Sequence, residues 1–285
     1  MTTPSDPDDA PLFDVDVPAP PTPVERLLAL ASLYTRHNDR LDLLLFGRLP
    51  HPDPDACTAS AHRLDRETFA AITAIRQQPL PAIEPVTSAV VRLKQLAHLA
   101  GGATRYLTAA QQVQPTPDAE HTRLDPRSGF ARHLRLAREL TALAPLTITD
   151  SAGHIAARLP ARVRSTTTVP GMDADRRDAL LDVARGHIAV TGHDGYQRVY
   201  HHNMPVDAET LRRLESEGLL TYEPASAPPL FHGGPPRDRA RLTALGTCAL
   251  STVIVFPHYL SRPAGSPAPM PVPTPSVPAT ARSRR

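Results

Sequence analysis

The longest regular pattern in the sequence is an apolar stripe with helical spacing between residues 84 and 110. Alanine, leucine and valine recur there every three or four residues over about seven turns, as in an amphipathic helix. Gly101 and Gly102 interrupt the stripe, so we expect a kink or a close approach of another helix at that point. A helix of this length needs apolar partners along one face. The stripe would suit either an internal core or a homodimer interface.

Shorter helical patterns precede and follow this stripe. Thr22, Pro23 and Glu25 have the spacing of a capping box and predict a helix start, and apolar residues continue with helical spacing towards Gly47. A later amphipathic helix carries Arg132, Arg135 and Arg138 on its polar face, which is either solvated or a second basic surface. We therefore expect residues 21–145 to form a helical bundle, followed by a connector over residues 146–172.

The two ends of the chain differ in charge. Residues 1–20 are proline-rich and contain five aspartates and no basic residue, which predicts a disordered acidic arm. Residues 261–285 are rich in proline and arginine and contain no acidic residue, which predicts a disordered tail. Lys94 is the only lysine among 31 basic residues, so the abundance of arginine is by itself weak evidence for nucleic-acid binding.

Residues 173–260 have a different sequence pattern, in which short β-branched segments alternate with short predicted helices. The segment VDAETLRRLESEGLL, residues 206–220, predicts a capped helix that begins after Asp207 and stops at Gly218. Together with the later RLTALGTCAL it resembles the winged-helix DNA-binding domain, in which a recognition helix ends in a similar L..GLL pattern and LT..G starts the closing helix. The whole chain also resembles uncharacterised actinomycete proteins.

This resemblance implies a mainly α protein, with an N-terminal helical bundle and a C-terminal winged-helix domain that has a small β-hairpin wing. It implies a non-enzymatic protein that binds duplex DNA as a transcriptional regulator or accessory factor. Val199 and Tyr200 would belong to the first helix of the helix-turn-helix. The residues expected to contact bases or phosphates are Thr210, Arg212, Arg213, Ser216, Arg237, Arg239 and Arg241.

Two features favour a different interpretation. Residues 173–242 contain nine arginines against eleven acidic residues, whereas a DNA-reading face is usually basic. The segment HIAVTGHDGYQRVYHH, residues 187–202, also fits a β-hairpin that turns at HDG, and the first helix of the motif would then not exist. The alternative function is a protein-interaction adaptor that uses the winged helix and the bundle without touching DNA.

No catalytic or cofactor motif stands out, so we expect neither an enzyme nor a bound cofactor. Thirteen histidines, among them His201 and His202, lack the spacing of metal ligands, so we expect no metal. The longest apolar run, residues 248–256, is too short to span a membrane. Cys57 and Cys248 form no paired motif, and together with an acidic first segment this predicts a cytoplasmic protein.

Overall fold

A computed structural model of the chain shows a mainly helical protein with a small antiparallel sheet in its C-terminal part. The described residues all belong to one compact unit. They are 20–48, 53–113, 128–159, 172–193, 196–200, 206–231 and 233–254. The predicted acidic arm, the predicted tail, and His201, His202 and His232 lie outside them.

Five helices form the N-terminal part. They are α1 (Pro23–Leu45), α2 (Pro54–Arg76), α3 (Glu84–Gln112), α4 (Gly129–Thr141) and α5 (Ala144–Ala156). The predicted capping box at the start of α1 is confirmed, because the Thr22 hydroxyl accepts from the Glu25 N–H at 3.2 Å while the Glu25 carboxylate accepts from the Thr22 N–H at 2.8 Å. These two bonds satisfy donors that a helix start otherwise leaves without a partner.

The predicted apolar stripe of α3 is buried against the chain's own helices α2, α4 and α5. Leu93, Ala100 and Leu107 on this stripe are fully buried, so the face expected to suit a homodimer is core. The helix is continuous across its glycine pair, and a Cβ at Gly102 would lie 3.1 Å from a Leu140 methyl group of α4. The sequence therefore located a close helix contact correctly.

The described residues of the C-terminal part form three helices and four strands. They are α6 (Ala174–Ala184), β1 (Ala189–His193), β2 (Tyr196–Tyr200), α7 (Ala208–Ser216), β3 (Leu220–Ala227), β4 (Arg237–Leu242) and α8 (Ala244–Val253). The sheet is antiparallel with the strand order β2-β1-β4-β3. β3 and β4 form the predicted hairpin after α7, in which Leu220 pairs with Leu242 and Tyr222 with Ala240.

The helical and β-containing parts share one hydrophobic core. Leu27 and Tyr34 of α1 belong to the same buried cluster as Leu211 of α7, Ala240 of β4 and Leu250 of α8. Helix α5 occupies the first half of the predicted connector and packs against α1 and α3. Its buried residues follow helical spacing, so apolar burial outweighs the loop character that the surrounding sequence indicates. The remainder of the predicted connector, residues 160–171, lies outside the described residues.

Candidate functional site

The predicted first helix of the helix-turn-helix is absent. Val199 and Tyr200 lie in β2, whose partner β1 pairs Val190 with Val199 and Ala189 with Tyr200. The helical interpretation of this segment is therefore wrong, and the alternative hairpin is confirmed. The physical reason is that the β-branched and aromatic residues of this segment favour a strand, and that β2 pairs with β1, which itself lies beside β4.

Helix α7 presents a solvent-exposed charged face. Leu211 and Leu214 are buried, while the predicted contact residues Arg212 and Arg213 expose 58% and 63% of their side chains. Arg212 pairs with Glu209, and the Arg213 Nε lies 3.2 Å from the Glu217 carboxylate. Such exposed pairs one turn apart contribute only about 0.2–0.5 kcal/mol each, so both guanidinium groups can exchange their partners for another anion.

The remaining predicted residues on α7 are polar but uncharged. Thr210 is half-buried, and the exposed Ser216 hydroxyl donates to the Arg213 carbonyl at 2.8 Å. Acidic side chains share the exposed side of this helix and its start, at Asp207, Glu209 and Glu215. The electrostatic surface around α7 is therefore mixed rather than basic, which is unfavourable for a phosphate backbone.

The motif that carries the winged-helix resemblance has a structural explanation. Gly218, at a φ of +70°, ends α7 in the left-handed region. Its carbonyl accepts from the Thr243 hydroxyl at 2.6 Å, and that same hydroxyl caps α8 by accepting from the Gly246 N–H at 3.0 Å. A Cβ at Gly246 would lie 1.8 Å from the Leu219 carbonyl oxygen. The two halves of the motif therefore join the end of α7 to the start of α8.

Two of the predicted wing residues are buried, with 7% of Arg239 and 4% of Arg241 exposed. Arg239 donates to both carboxylate oxygens of Asp39 on α1, at 3.0 Å through Nε and 2.5 Å through Nη2. Arg241 donates to Asp39 at 3.0 Å and to Glu223 of β3 at 2.9 Å. The prediction that these two residues reach DNA phosphates is therefore corrected. Arg237 is half-buried, and its Nε donates to the Pro228 carbonyl at 2.8 Å.

We call Asp39, Arg239 and Arg241, which are buried, together with the partly exposed Glu223, the buried charge cluster. Burial lowers the pKa of Arg241, while the neighbouring Asp39 and Glu223 carboxylates act in the opposite direction. A third donor of Arg239 reaches the Gly186 carbonyl at 2.7 Å. The cluster thus connects β3, β4 and Gly186 to the middle of α1, and so joins the two parts of the fold.

A cleft of about 500 Å³ opens beside the buried charge cluster. Its walls come from α1, the turn between α4 and α5, the residues just after α6, strand β2, the loop after β3, and β4. This volume is within the range of sites that take a small ligand or a few side chains of a partner. Its charged lining consists of Asp39, Asp42, Arg138, Arg185, Arg237 and Arg239.

The charged residues that line the cleft are mainly arginines. Four arginines and two aspartates line it, and Arg185 pairs with two further carboxylates, those of Asp150 and Asp182. The Nε of Arg138 lies 2.9 Å from Asp42, and its other two nitrogens have no hydrogen-bond partner among the described residues. Burial raises the pKa of Asp42, and the Arg138 guanidinium opposes that rise. Arg138 can therefore hold Asp42 and still donate to an anion in the cleft.

Large apolar side chains stand at the mouth of this cleft. Leu143, in the turn between α4 and α5, is 70% exposed, and Leu230, in the loop after β3, is 59% exposed. Both line the cleft, and the next residue, Phe231, is 64% exposed. Two exposed leucines that line a polar recess, with an exposed phenylalanine next to one of them in sequence, differ from isolated surface leucines, because the leucines form an apolar rim at a ligand-sized opening.

Within the described ranges, no group of three or more histidine, cysteine or acidic residues is arranged to hold a metal ion. Among those same residues, no helix is both long enough and apolar enough to cross a membrane. Arg132 and Arg135, the other members of the predicted basic stripe on α4, are solvent-exposed, whereas Arg138 is half-buried at the cleft. The stripe therefore divides into a solvated part and one residue with a specific position.

The fold and the site define a mainly helical protein with an arginine-lined cleft between its bundle and a four-stranded antiparallel sheet. Comparison of the chain with protein-family models, with curated proteins and with solved structures finds no match.

Sequence reasoning missed the α1 residues that build the cleft. Asn38, Asp39 and Asp42 interrupt the apolar pattern of a helix that is otherwise buried on most sides. The signal was available, because a carboxylate on a buried helix face requires a cationic partner elsewhere in the chain. The identity of that partner was not readable, since Arg239 lies 200 residues further along the sequence.

Proposed function

We propose that this protein is a non-enzymatic interaction module that binds a segment of a partner protein in the cleft. The single observation that carries the proposal is the combination of an apolar rim, made by Leu143 and Leu230, with an interior lined by arginines. The acidic side chains of a partner segment would pair with the arginines, and its apolar side chains would pack on the rim.

The charge distribution favours the binding of a partner protein over the binding of DNA. Arg239 and Arg241 are committed to Asp39, and the face of α7 mixes arginine with glutamate. DNA binding depends on the neutralisation of many phosphates by accessible cations, and these two arginines are not accessible. The same buried arginines support protein binding, because they hold the sheet and α1 in the geometry that forms the cleft.

An array of fifteen-residue peptides tests the proposal. Net charge varies from strongly acidic to strongly basic, and each peptide is made with and without a central Leu-Phe pair. Binding of the full chain only to acidic peptides that contain the apolar pair supports the proposal. Leu230→Ser should weaken that binding, while Leu245→Ser, at an exposed leucine of α8 that does not line the cleft, should leave it unchanged. Equal binding across the array contradicts the proposal, and so does the absence of binding both to the wild-type chain and to a variant in which the five aspartates of residues 1–19 are changed to asparagine.

A second candidate function is duplex DNA binding through α7, which would make the protein a regulator or an accessory factor. The observation that favours it is the exposure of Arg212 and Arg213 on a helix followed directly by the β3–β4 hairpin. Binding to mixed duplex fragments across a salt series distinguishes the two candidates. Salt-sensitive binding that is lost in the Arg212→Ala, Arg213→Ala double variant would support the DNA function.

A further inference from the structure

An arginine that lines the cleft has hydrogen-bond donors without a partner among the described residues. Among the described residues, two nitrogens of Arg138 have no hydrogen-bond partner. Arg185, which also lines the cleft, pairs with Asp150 at 3.0 Å and lies 3.6 Å from Asp182. A partly satisfied guanidinium group beside a recess, such as that of Arg138, can donate to an anionic group that enters the recess.

The apolar residues at the mouth of the cleft favour an occupant that carries apolar side chains as well as negative charge. Leu143 and Leu230 are the two most exposed large apolar residues that line the cleft. Their exposure to water is unfavourable by about 25 cal/mol for each Å² of apolar surface that an occupant would cover. An occupant that satisfies the whole site therefore carries several negative charges, no competing positive charge and at least one large apolar side chain.

One segment of the chain itself has this composition. Residues 1–19, which lie outside the described part of the structure, contain Asp6, Asp8, Asp9, Asp14 and Asp16 and no basic residue. Leu12 and Phe13 stand between the two groups of aspartates. The segment therefore alternates acidic, apolar and acidic chemistry over eleven residues, from Asp6 to Asp16.

The segment is also long enough to reach the cleft. The start of α1 is Pro23, and the cleft-lining residues Thr35 to Asp42 lie about 18–29 Å along that helix, at 1.5 Å per residue. Asp6 to Asp9 precede Pro20 by 14 to 11 residues, a maximum span of about 36–46 Å. The first group of aspartates can therefore fold back along α1 to the cleft without full extension.

We propose that residues 1–19 bind in the cleft of their own chain and compete with the partner segment for it. The inference rests on the proposed function, because it gives the same cleft an internal occupant. A tethered segment acts at an effective concentration on the order of millimolar, so even a weak contact would occupy the site until a partner of higher affinity arrives. Arg138 would hold a carboxylate of the segment, and Leu143 with Leu230 would cover Leu12 or Phe13.

The test uses the full chain and a fluorescent peptide with the sequence of residues 1–19, added separately and followed by anisotropy. In the variant with all five aspartates of the segment changed to asparagine, the peptide should bind at least about tenfold more tightly than to the wild-type chain. A second variant, Leu12→Ser with Phe13→Ser, removes the apolar half of the segment and should give a smaller gain.

Matched substitutions locate the binding. In the asparagine background, Arg138→Gln and Leu230→Ser should each weaken peptide binding, whereas Arg135→Gln, at an exposed arginine of the same helix, should not. Leu230→Ser guards against misfolding of the Arg138 variant, because Leu230 is exposed. Peptide binding that persists in both cleft variants overturns the inference.

The possible failures are distinguishable. Equal and measurable binding of the peptide to wild type and to the asparagine variant overturns the internal competition but leaves the proposed partner binding standing. No peptide binding to the asparagine variant overturns the inference, and the failure of all acidic peptides on that same variant would overturn the proposed function as well.

Discussion

Arg239 of β4 and Asp39 of α1 form a buried, two-pronged ion pair between residues that are 200 positions apart in the sequence. Arg241 donates to the same carboxylate. Because removal of one partner leaves the others as uncompensated buried charges, this contact makes the position of the sheet on the bundle sensitive to single substitutions.

Asp39→Ala should reduce the free energy of unfolding by about 3–5 kcal/mol, since it leaves two buried guanidinium groups without their shared carboxylate. Urea denaturation followed by circular dichroism measures this loss. Arg212→Ala, which breaks an exposed pair on α7, serves as the control and should cost less than about 0.5 kcal/mol. Equal losses in the two variants would show that the buried charge cluster does not stabilise the fold.

Two glycine-to-alanine substitutions should have opposite effects. Gly246→Ala places a Cβ 1.8 Å from the Leu219 carbonyl oxygen and should destabilise the protein by about 2 kcal/mol or more. Gly101→Ala, inside α3 with nothing within 4 Å of the added Cβ, should stabilise it by about 0.5–1 kcal/mol. Thermal unfolding of both variants checks the signs. Tolerance of alanine at position 246 would contradict the close junction between α7 and α8.

Acid should destabilise the protein through His37. Burial, reinforced by the nearby Arg138 and Arg40, lowers the pKa of His37 to about 4 from its ordinary 6.5. The unfolded chain therefore takes up a proton below pH 6.5, whereas the folded chain does so only near pH 4, and stability falls as the pH falls between these values. The shift corresponds to about 3 kcal/mol at 1.36 kcal/mol per pKa unit.

Comparison of wild type with His37→Gln isolates this contribution, because the carboxylates that titrate near pH 4 are common to both proteins. The wild-type free energy of unfolding should fall more steeply than that of the variant between pH 6.5 and pH 4. Parallel curves over this interval would mean that His37 is not held neutral by its surroundings.

The sequence predicted local features well, because they depend on neighbouring residues. The Thr22 capping box, the buried stripe of α3 and the β3–β4 hairpin are set by spacing and by short-range hydrogen bonds. The prediction of a first helix in the motif was wrong, because Val199 and Tyr200 are stabilised as a strand by pairing with β1. Secondary structure that depends on a partner strand is weakly determined by its own residues.

The site was less predictable for a related reason. Arginine at positions 239 and 241 is compatible with phosphate contact or with a buried pair, and the choice depends on the position of Asp39. The cleft itself forms between six segments that are distant in the sequence. By contrast, the exposure of Arg212 and Arg213 followed from the helical spacing of Leu211 and Leu214, which fixes the outward face of α7.

Substitutions on α7 and substitutions in the cleft should affect different ligands, the first DNA and the second an acidic peptide. Arg212→Ala with Arg213→Ala should leave the binding of an acidic, Leu-Phe-containing peptide unchanged, since neither arginine lines the cleft. Arg138→Gln should abolish that binding and have no effect on any weak association with duplex DNA. Fluorescence anisotropy with both ligands on the wild type and the two variants measures the six affinities that separate these surfaces.

The most direct measurement of the central claim is a titration of the full chain with that peptide and with a mixed-sequence duplex, each at about 50 and 200 mM salt. We expect the peptide to bind at both salt concentrations, and we expect Leu230→Ser, but not Leu245→Ser, to weaken peptide binding. We expect no appreciable duplex binding at the higher salt. Tight duplex binding that depends on Arg212 and Arg213, with no peptide binding, would contradict the proposed function.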